Sequence, residues 1–139
     1  MPLDIRDATA DDEQQVIALW RACGLAAAHN DPAADFRFAV EGAASTILVA
    51  LLDDHVVASA MVGHDGHRGW LYYVACAPEH RHKRLGSRIV EAGEAWLRAR
   101  RVAKVQLMVR ETNAAVVPFY AQLGYEDMPR VLMSKWLRT

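Results

Sequence analysis

Residues 74–87 read Val-Ala-Cys-Ala-Pro-Glu-His-Arg-His-Lys-Arg-Leu-Gly-Ser, and they constrain the fold more than any other stretch. The run Leu71, Tyr72, Tyr73, Val74 has the apolar and aromatic chemistry of a strand. Pro78 closes that strand, because proline cannot donate to a ladder. His80, Arg81, His82, Lys83 and Arg84 can all carry positive charge, and Gly86 and Ser87 then open a long helical pattern. A strand, a basic glycine-bearing loop and a helix start make an anion site. The free N–H groups of the first helical turn and the positive end of the helix dipole converge on one point. The anion predicted is a phosphate. A merely solvated basic loop is the competing reading, and the position of the run between a strand end and a helix start disfavours it. The P-loop pattern Gly-x-x-x-x-Gly-Lys-Ser/Thr and the dinucleotide pattern Gly-x-Gly-x-x-Gly are both absent, so the phosphate belongs to neither of those ligand classes.

The rest of the chain alternates strand and helix signals. Leu3 to Ala8 suits a first strand. Thr9 with Asp12 makes a capping-box variant ahead of Val16, Leu19, Trp20 and Cys23, and Gly24 is a C-terminal stop. Asp31 is an N-cap with Pro32 at the first helical position, and Phe36, Ala39 and Val40 give that second helix a short apolar stripe. Thr46 to Leu52 and Val56 to Val62 read as a hairpin turned by Asp53-Asp54. Gly63 to Gly69 is a polar glycine-rich loop, and Trp70 to Cys76 is the next strand. Leu85, Ile89, Ala92, Trp96, Val90, Gly93 and Leu97 mark the buried side of a helix reaching about Arg101. Val105, Leu107 and Val109 alternate as a strand, Ala114 to Leu123 is a helix ending at Gly124, and Val131 to Leu137 supplies a last strand. The mixed order predicts an α+β domain, with a largely antiparallel sheet.

One domain over residues 1–139 is the expectation for this length. A net charge of −1 implies no general attraction to nucleic acid. No apolar run approaches the roughly 18 residues of a membrane span. Asp4 and Asp7 near the start are unlike a secretory signal, so a cytoplasmic location is expected. Cys23 and Cys76 lie far apart without metal-type spacing and read as buried, reduced thiols.

Two motifs carry a resemblance to a known family. Arg81, Leu85 and Gly86 match the acetyl-CoA loop Gln/Arg-x-x-Gly-x-Gly/Ala of the Gcn5-related N-acetyltransferase (GNAT) family, with Arg84 where the first glycine belongs. About thirty residues on, Asn113 through Phe119-Tyr120 and then Leu123-Gly124-Tyr125 resembles the family's fourth motif. The order and separation are those of the family, and the similarity covers nearly the whole chain. Within it, Gly66-His67-Arg68-Gly69 and Asn30-Asp31-Pro32 look like the small YpeA-type acetyltransferases.

The resemblance implies an α/β/α sandwich with six or seven strands and about four helices. It also implies acetyl-CoA as cosubstrate, no metal, and transfer of an acetyl group to a primary amine of a small molecule or peptide. Monomers and homodimers both fit the family. His82 to Ser87 would hold the pyrophosphate, the backbone of Val74, Ala75 and Cys76 would receive the pantetheine and the acetyl oxygen, and Asn113 and Phe119 would lie along the cofactor. Tyr120 would be the acid that protonates the leaving thiolate, since a phenol with a pKa of about 10 keeps its proton at neutral pH. Asn113 as a helix N-cap is the parallel reading. Phe119 and Tyr120 are adjacent, so both facing inward on one helix is not expected. If the family's glycine at Arg84 has negative φ, the side chain costs nothing there, and its guanidinium reaches a phosphate of CoA.

Other chemistry is weighed against this. Cys76 as a nucleophile lacks a histidine–carboxylate partner in sequence. His64 and His67 have His-x-x-His spacing, but a glycine-rich loop does not fix a ligand geometry, and a role beside the substrate is expected instead. The general base is not legible: Met108 and Trp70 stand where relatives carry glutamates. Glu79, Glu111, Asp65, His64, Tyr72 or a water chain remain. A non-catalytic acyl-CoA-binding module is the alternative function, motivated by Arg84 and the missing bases.

Overall fold

The computed structural model describes residues 3–27, 30–81 and 84–138. The chain divides into two compact units, Met1–Met108 and Val109–Thr139.

The first unit holds a five-stranded sheet in sequence order: β1 (Asp4–Asp7), β2 (Ser45–Leu52), β3 (His55–His64), β4 (Gly69–Cys76) and β5 (Val105–Leu107). Pairing is antiparallel except between β4 and β5, which run parallel. Three helices accompany it: α1 (Glu13–Ala22), α2 (Pro32–Glu41) and α3 (Leu85–Ala99). The β2–β3 hairpin turns at Asp53 and Asp54, whose φ values of 49° and 64° are both positive. That is the two-residue turn whose twist matches the flanking strands. β2 is buried on both faces between Thr46 and Leu51, as a strand covered on each side must be.

The helices take opposite faces of the sheet. An added Cβ on Gly69 would lie 2.5 Å from Leu97, and one on Gly93 would lie 2.8 Å from Leu71, so α3 seats directly on one face of β4. On the other face Trp20 of α1 stacks on Tyr73 with ring centroids 3.9 Å apart. Trp20 is fully buried, and its indole N–H donates to Ser59 Oγ at 3.0 Å. The expected caps are present. Asp12 accepts from the Thr9 amide at 2.8 Å and from Arg6 at 2.7 and 3.0 Å. Asp31 accepts from the Ala34 amide at 3.1 Å with Pro32 in the first turn of α2. Gly24 ends α1 with φ of +72°.

The second unit holds a 3-10 segment, Glu111–Val116, and a short helix α4 (Val117–Gln122). The expected helix from Ala114 therefore begins three residues late. Pro118 explains this: its ring clashes with the carbonyl four residues back, so it is accommodated only in the first turn. Asn113 is not an N-cap; it sits at a kink, with φ −118° and ψ 29°.

The sheet has five described strands instead of six or seven. The missing strand is the one expected at 131–137, which carries no regular structure. Val131, Leu132, Met133, Trp136 and Leu137 give it the apolar composition of a strand, but a strand needs a ladder partner, and residues 109–138 include no strand to pair with it.

Candidate active site

β4 is the strand on which the site is built. Its pairing with β5 ends at Leu71 opposite Leu107, and no strand pairs with β4 on that side beyond Leu71 among the described residues. On its other side β4 stays paired with β3, Ser59 opposite Ala75 and Ala58 opposite Cys76. Between those pairs and Met61 opposite Tyr72 the register shifts, and Tyr73 takes a φ of +50°. This is a bulge. One extra residue in a strand breaks the alternation of faces. Gly69 and Leu71 face α3, whereas Tyr72 and Tyr73 both line the cavity on the opposite side. The bulge is held from below: Ser59 Oγ donates to the Tyr73 carbonyl at 3.2 Å while accepting from Trp20. It is also held from the side, as the Tyr73 hydroxyl donates to Asp35 Oδ2 of α2 at 2.7 Å.

Past Cys76 the chain makes a 3-10 turn at Pro78–His80 and reaches α3 at Leu85. The first turn of α3 carries no acidic residue, and Leu85 is buried while Gly86 and Ser87 are half-buried. Ser87 Oγ donates back to the Arg84 carbonyl at 3.1 Å. Arg81 and Arg84 are exposed; His82 and Lys83 lie outside the described residues. Arg84 has φ 58° and ψ 23°. The expectation of a negative φ is thus overturned: the residue is left-handed, the conformation a glycine adopts freely and other residues reach at roughly 1–2 kcal/mol. His80 Nδ1 is buried without a hydrogen-bond partner among the described residues.

Cys76 is half-buried, and burial is the main cause holding its thiol above the ordinary value. Cys23 Sγ donates to its carbonyl at 3.3 Å. A thiol held protonated is a poor nucleophile, in keeping with its structural reading.

On the α2 side of β4 lies a cavity of about 460 Å³, lined by residues of α2, β3 and β4. Of the proposed bases, His64, Asp65 and Tyr72 line it. Asp65 accepts from the His67 and Arg68 amides at 2.9 and 2.7 Å and from Trp70 Nε1 at 3.3 Å. These bonds, the Arg68 amide foremost, hold its carboxyl down at about 2, which makes it a weak base. Burial pushes the Tyr72 phenol up, so it stays protonated. His64 Nδ1 accepts from the Gly66 amide at 3.3 Å. Glu79 is exposed. The sequence reading missed Asp35. A signal existed, because Asp35 lies one helical turn before buried Ala39 and so shares its inward face.

In the second unit Asn113 and Glu111 are exposed, and Phe119 and Tyr120 are both half-buried. The last point differs from expectation. Their rings meet edge to face at 4.9 Å, and Tyr125 closes on Tyr120 at 5.7 Å. Gly124, with φ +95°, turns the chain so that Tyr125 returns, its amide donating to the Tyr120 carbonyl at 3.0 Å. Burial raises the pKa of the Tyr120 phenol.

Comparison with known proteins fits this architecture. The Acetyltransferase (GNAT) family profile matches residues 8–125. An acetyltransferase of Yersinia pestis (strain Pestoides F) is 36% identical over 135 residues, covering 97% of this chain and 96% of the relative. The structure of AAC(6')-Iy in complex with a CoA-linked acetylneamine bisubstrate analogue superposes with a TM-score of 0.83 at 16% identity, covering 98% of this chain and 99% of that one. A Clostridium acetobutylicum acetyltransferase solved with acetyl-CoA gives a TM-score of 0.79 at 13% identity, covering 96% of each chain. The chain belongs to the GNAT family of acetyltransferases, enzymes that use acetyl-CoA.

Proposed function

We propose that this enzyme transfers the acetyl group of acetyl-CoA to a primary amine bound in the cavity between α2 and β4. The observation that carries the reading is the double use of β4. One edge opens beyond Leu71, beside the N-terminus of α3, while its side chains line the cavity. Pantetheine is a chain of amides, and amides add to an open strand edge as another strand does. In this reading Val74, Ala75 and Cys76 supply that edge. The amides of Leu85, Gly86 and Ser87, with the cations Arg81 and Arg84, neutralise the pyrophosphate, a role the motif extends to His82 and Lys83. Asn113 and Phe119 lie along the cofactor.

The amine lone pair attacks the thioester carbonyl and forms a C–N bond. The C–S bond then breaks, and the thiolate takes a proton from Tyr120. The proton shed by the amine leaves through water or through His64, whose imidazole lines the cavity. Asp65, its carboxyl held down by backbone amides, and Tyr72, its phenol raised by burial, are the weaker candidates for the base.

The test is release of free CoA thiol from acetyl-CoA across a panel of primary amines, with the acetylated amine identified by mass. Tyr120→Phe keeps the ring packing and removes the proton. General-acid assistance spans about 10²–10⁴ in rate. A thiolate whose conjugate acid has a pKa of about 8.5 leaves fairly well unaided, so the expected loss is at the hundredfold end, in kcat. Acetyl-CoA binding should be nearly unchanged. Undiminished kcat would make Tyr120 a packing residue.

A further inference from the structure

We infer that the acceptor is a monoamine, an ammonium group carried on an apolar, ring-bearing body and without an anionic group near the nitrogen. The inference rests on the acetyl-transfer reading above and names the substrate class of the same cavity. The charge balance points first. Among the described residues, Asp35, Asp65 and His64 are the ionisable side chains of acid or imidazole type on its wall, and no lysine or arginine lines it. A phosphorylated or carboxylated amine would bring an anion beside Asp35 and Asp65 with no cation among the described wall residues to receive it, and like charges repel.

The two carboxylates are not equivalent. Asp65 is committed to two backbone amides and an indole N–H. Asp35 takes one described side-chain bond, from the Tyr73 hydroxyl. A carboxylate has about four acceptor sites, so Asp35 keeps capacity for an ammonium. It is fixed where that capacity is useful, with the Tyr73 hydroxyl bridging it to the bulge of β4.

The walls supply the second half of the chemistry. Trp70 and Tyr72 stand two residues apart on one face of β4, with ring centroids 6.2 Å apart and planes 20° from parallel. Phe38 of α2 lines the same cavity and is 85% exposed. A phenylalanine left that open beside a cavity gains by having an apolar body laid against it. Met61 and Val62 continue the apolar wall from β3. The volume of about 460 Å³ is in the range of a small-molecule site. Aromatic faces also attract a cation directly.

Calorimetric titration without acetyl-CoA tests this, using 2-phenylethylamine, its neutral isostere 2-phenylethanol, glucosamine 6-phosphate and neamine. Phenylethylamine should bind most tightly. Asp35→Asn keeps an acceptor for Tyr73 but removes the charge. It should weaken phenylethylamine roughly 10- to 100-fold, toward the phenylethanol value, with acetyl-CoA affinity unchanged. Phe38→Ala, a substitution of an exposed side chain with no threat to folding, should also weaken phenylethylamine. Tighter binding of glucosamine 6-phosphate or neamine, or an unchanged affinity in Asp35→Asn, overturns the inference. Binding needs no turnover. Phenylethylamine that binds through Asp35 while no amine of the panel is acetylated keeps the cavity as a site for a ring-bearing ammonium and removes the acetyl-transfer reading. Acetylation of neamine but not of phenylethylamine does the reverse.

Discussion

Arg84 shows how a single residue can depart from a motif at a definite cost. Its left-handed backbone at φ 58° is what a glycine would supply freely, so the arginine is kept against strain. Arg84→Gly should raise the thermal midpoint, the relief of roughly 1–2 kcal/mol being partly offset by the greater unfolded-state freedom of glycine. In the proposed site the same change removes a cation beside the pyrophosphate. Acetyl-CoA should therefore bind the variant more weakly at low salt, with the gap closing at high salt. Equal affinity at both salt concentrations would show that Arg84 meets no phosphate. Ser59 is the second residue with leverage. It is fully buried and joins the Trp20 indole to the Tyr73 carbonyl. Ser59→Ala leaves a buried N–H unpaired, a loss of about 1–3 kcal/mol, to be read from urea denaturation. A variant as stable as the parent would mean the bulge does not depend on that hydroxyl. The caps at Asp12 and Asp31 were legible because capping is local chemistry. The meeting of Asp35 with Tyr73 was not, since it joins residues 38 apart in sequence through a bulge that no local pattern announces.

At the scale of elements, what was readable depended on whether the signal needed a partner. The hairpin at Asp53-Asp54, the helix from Leu85 and the strand leading to Pro78 all appear where their own residues place them. The segment 131–137 has the apolar residues of a strand and no ladder, because pairing is a property of two segments. Pro118 likewise decided where α4 begins, against the longer apolar pattern. The connection from β3 to β4 is an element whose order depends on one carboxylate. Asp65 is held at about 2 against an ordinary value of 3.8. Between those values the unfolded chain binds the proton that the folded loop refuses. The stabilising contribution is therefore complete above pH 3.8 and is lost as pH falls toward 2. Carboxyl NMR should find the Asp65 midpoint near 2. A midpoint at the ordinary value would mean the amides of His67 and Arg68 do not hold it in solution.

For the molecule as a whole, the sheet does two separate tasks with one strand. α3 covers one face, while on the other face α1 packs through Trp20 and α2 lines the cavity. The corner proposed to hold the phosphates was legible in sequence because strand end, cations and helix start are contiguous there. The cavity was not, since it draws on α2, β3 and β4 together. Among the described residues no helix is long and apolar enough to cross a membrane. The claim that joins these parts is that acetyl-CoA lies along the open edge of β4 and ends on the first turn of α3. Amide hydrogen exchange with and without acetyl-CoA reads that claim residue by residue. The account predicts slowed exchange at Val74 to Cys76 and at Leu85 to Ser87, with β1 and the β2–β3 turn unchanged. Acetyl-CoA that binds while leaving the amides of both segments exchanging as before would contradict it.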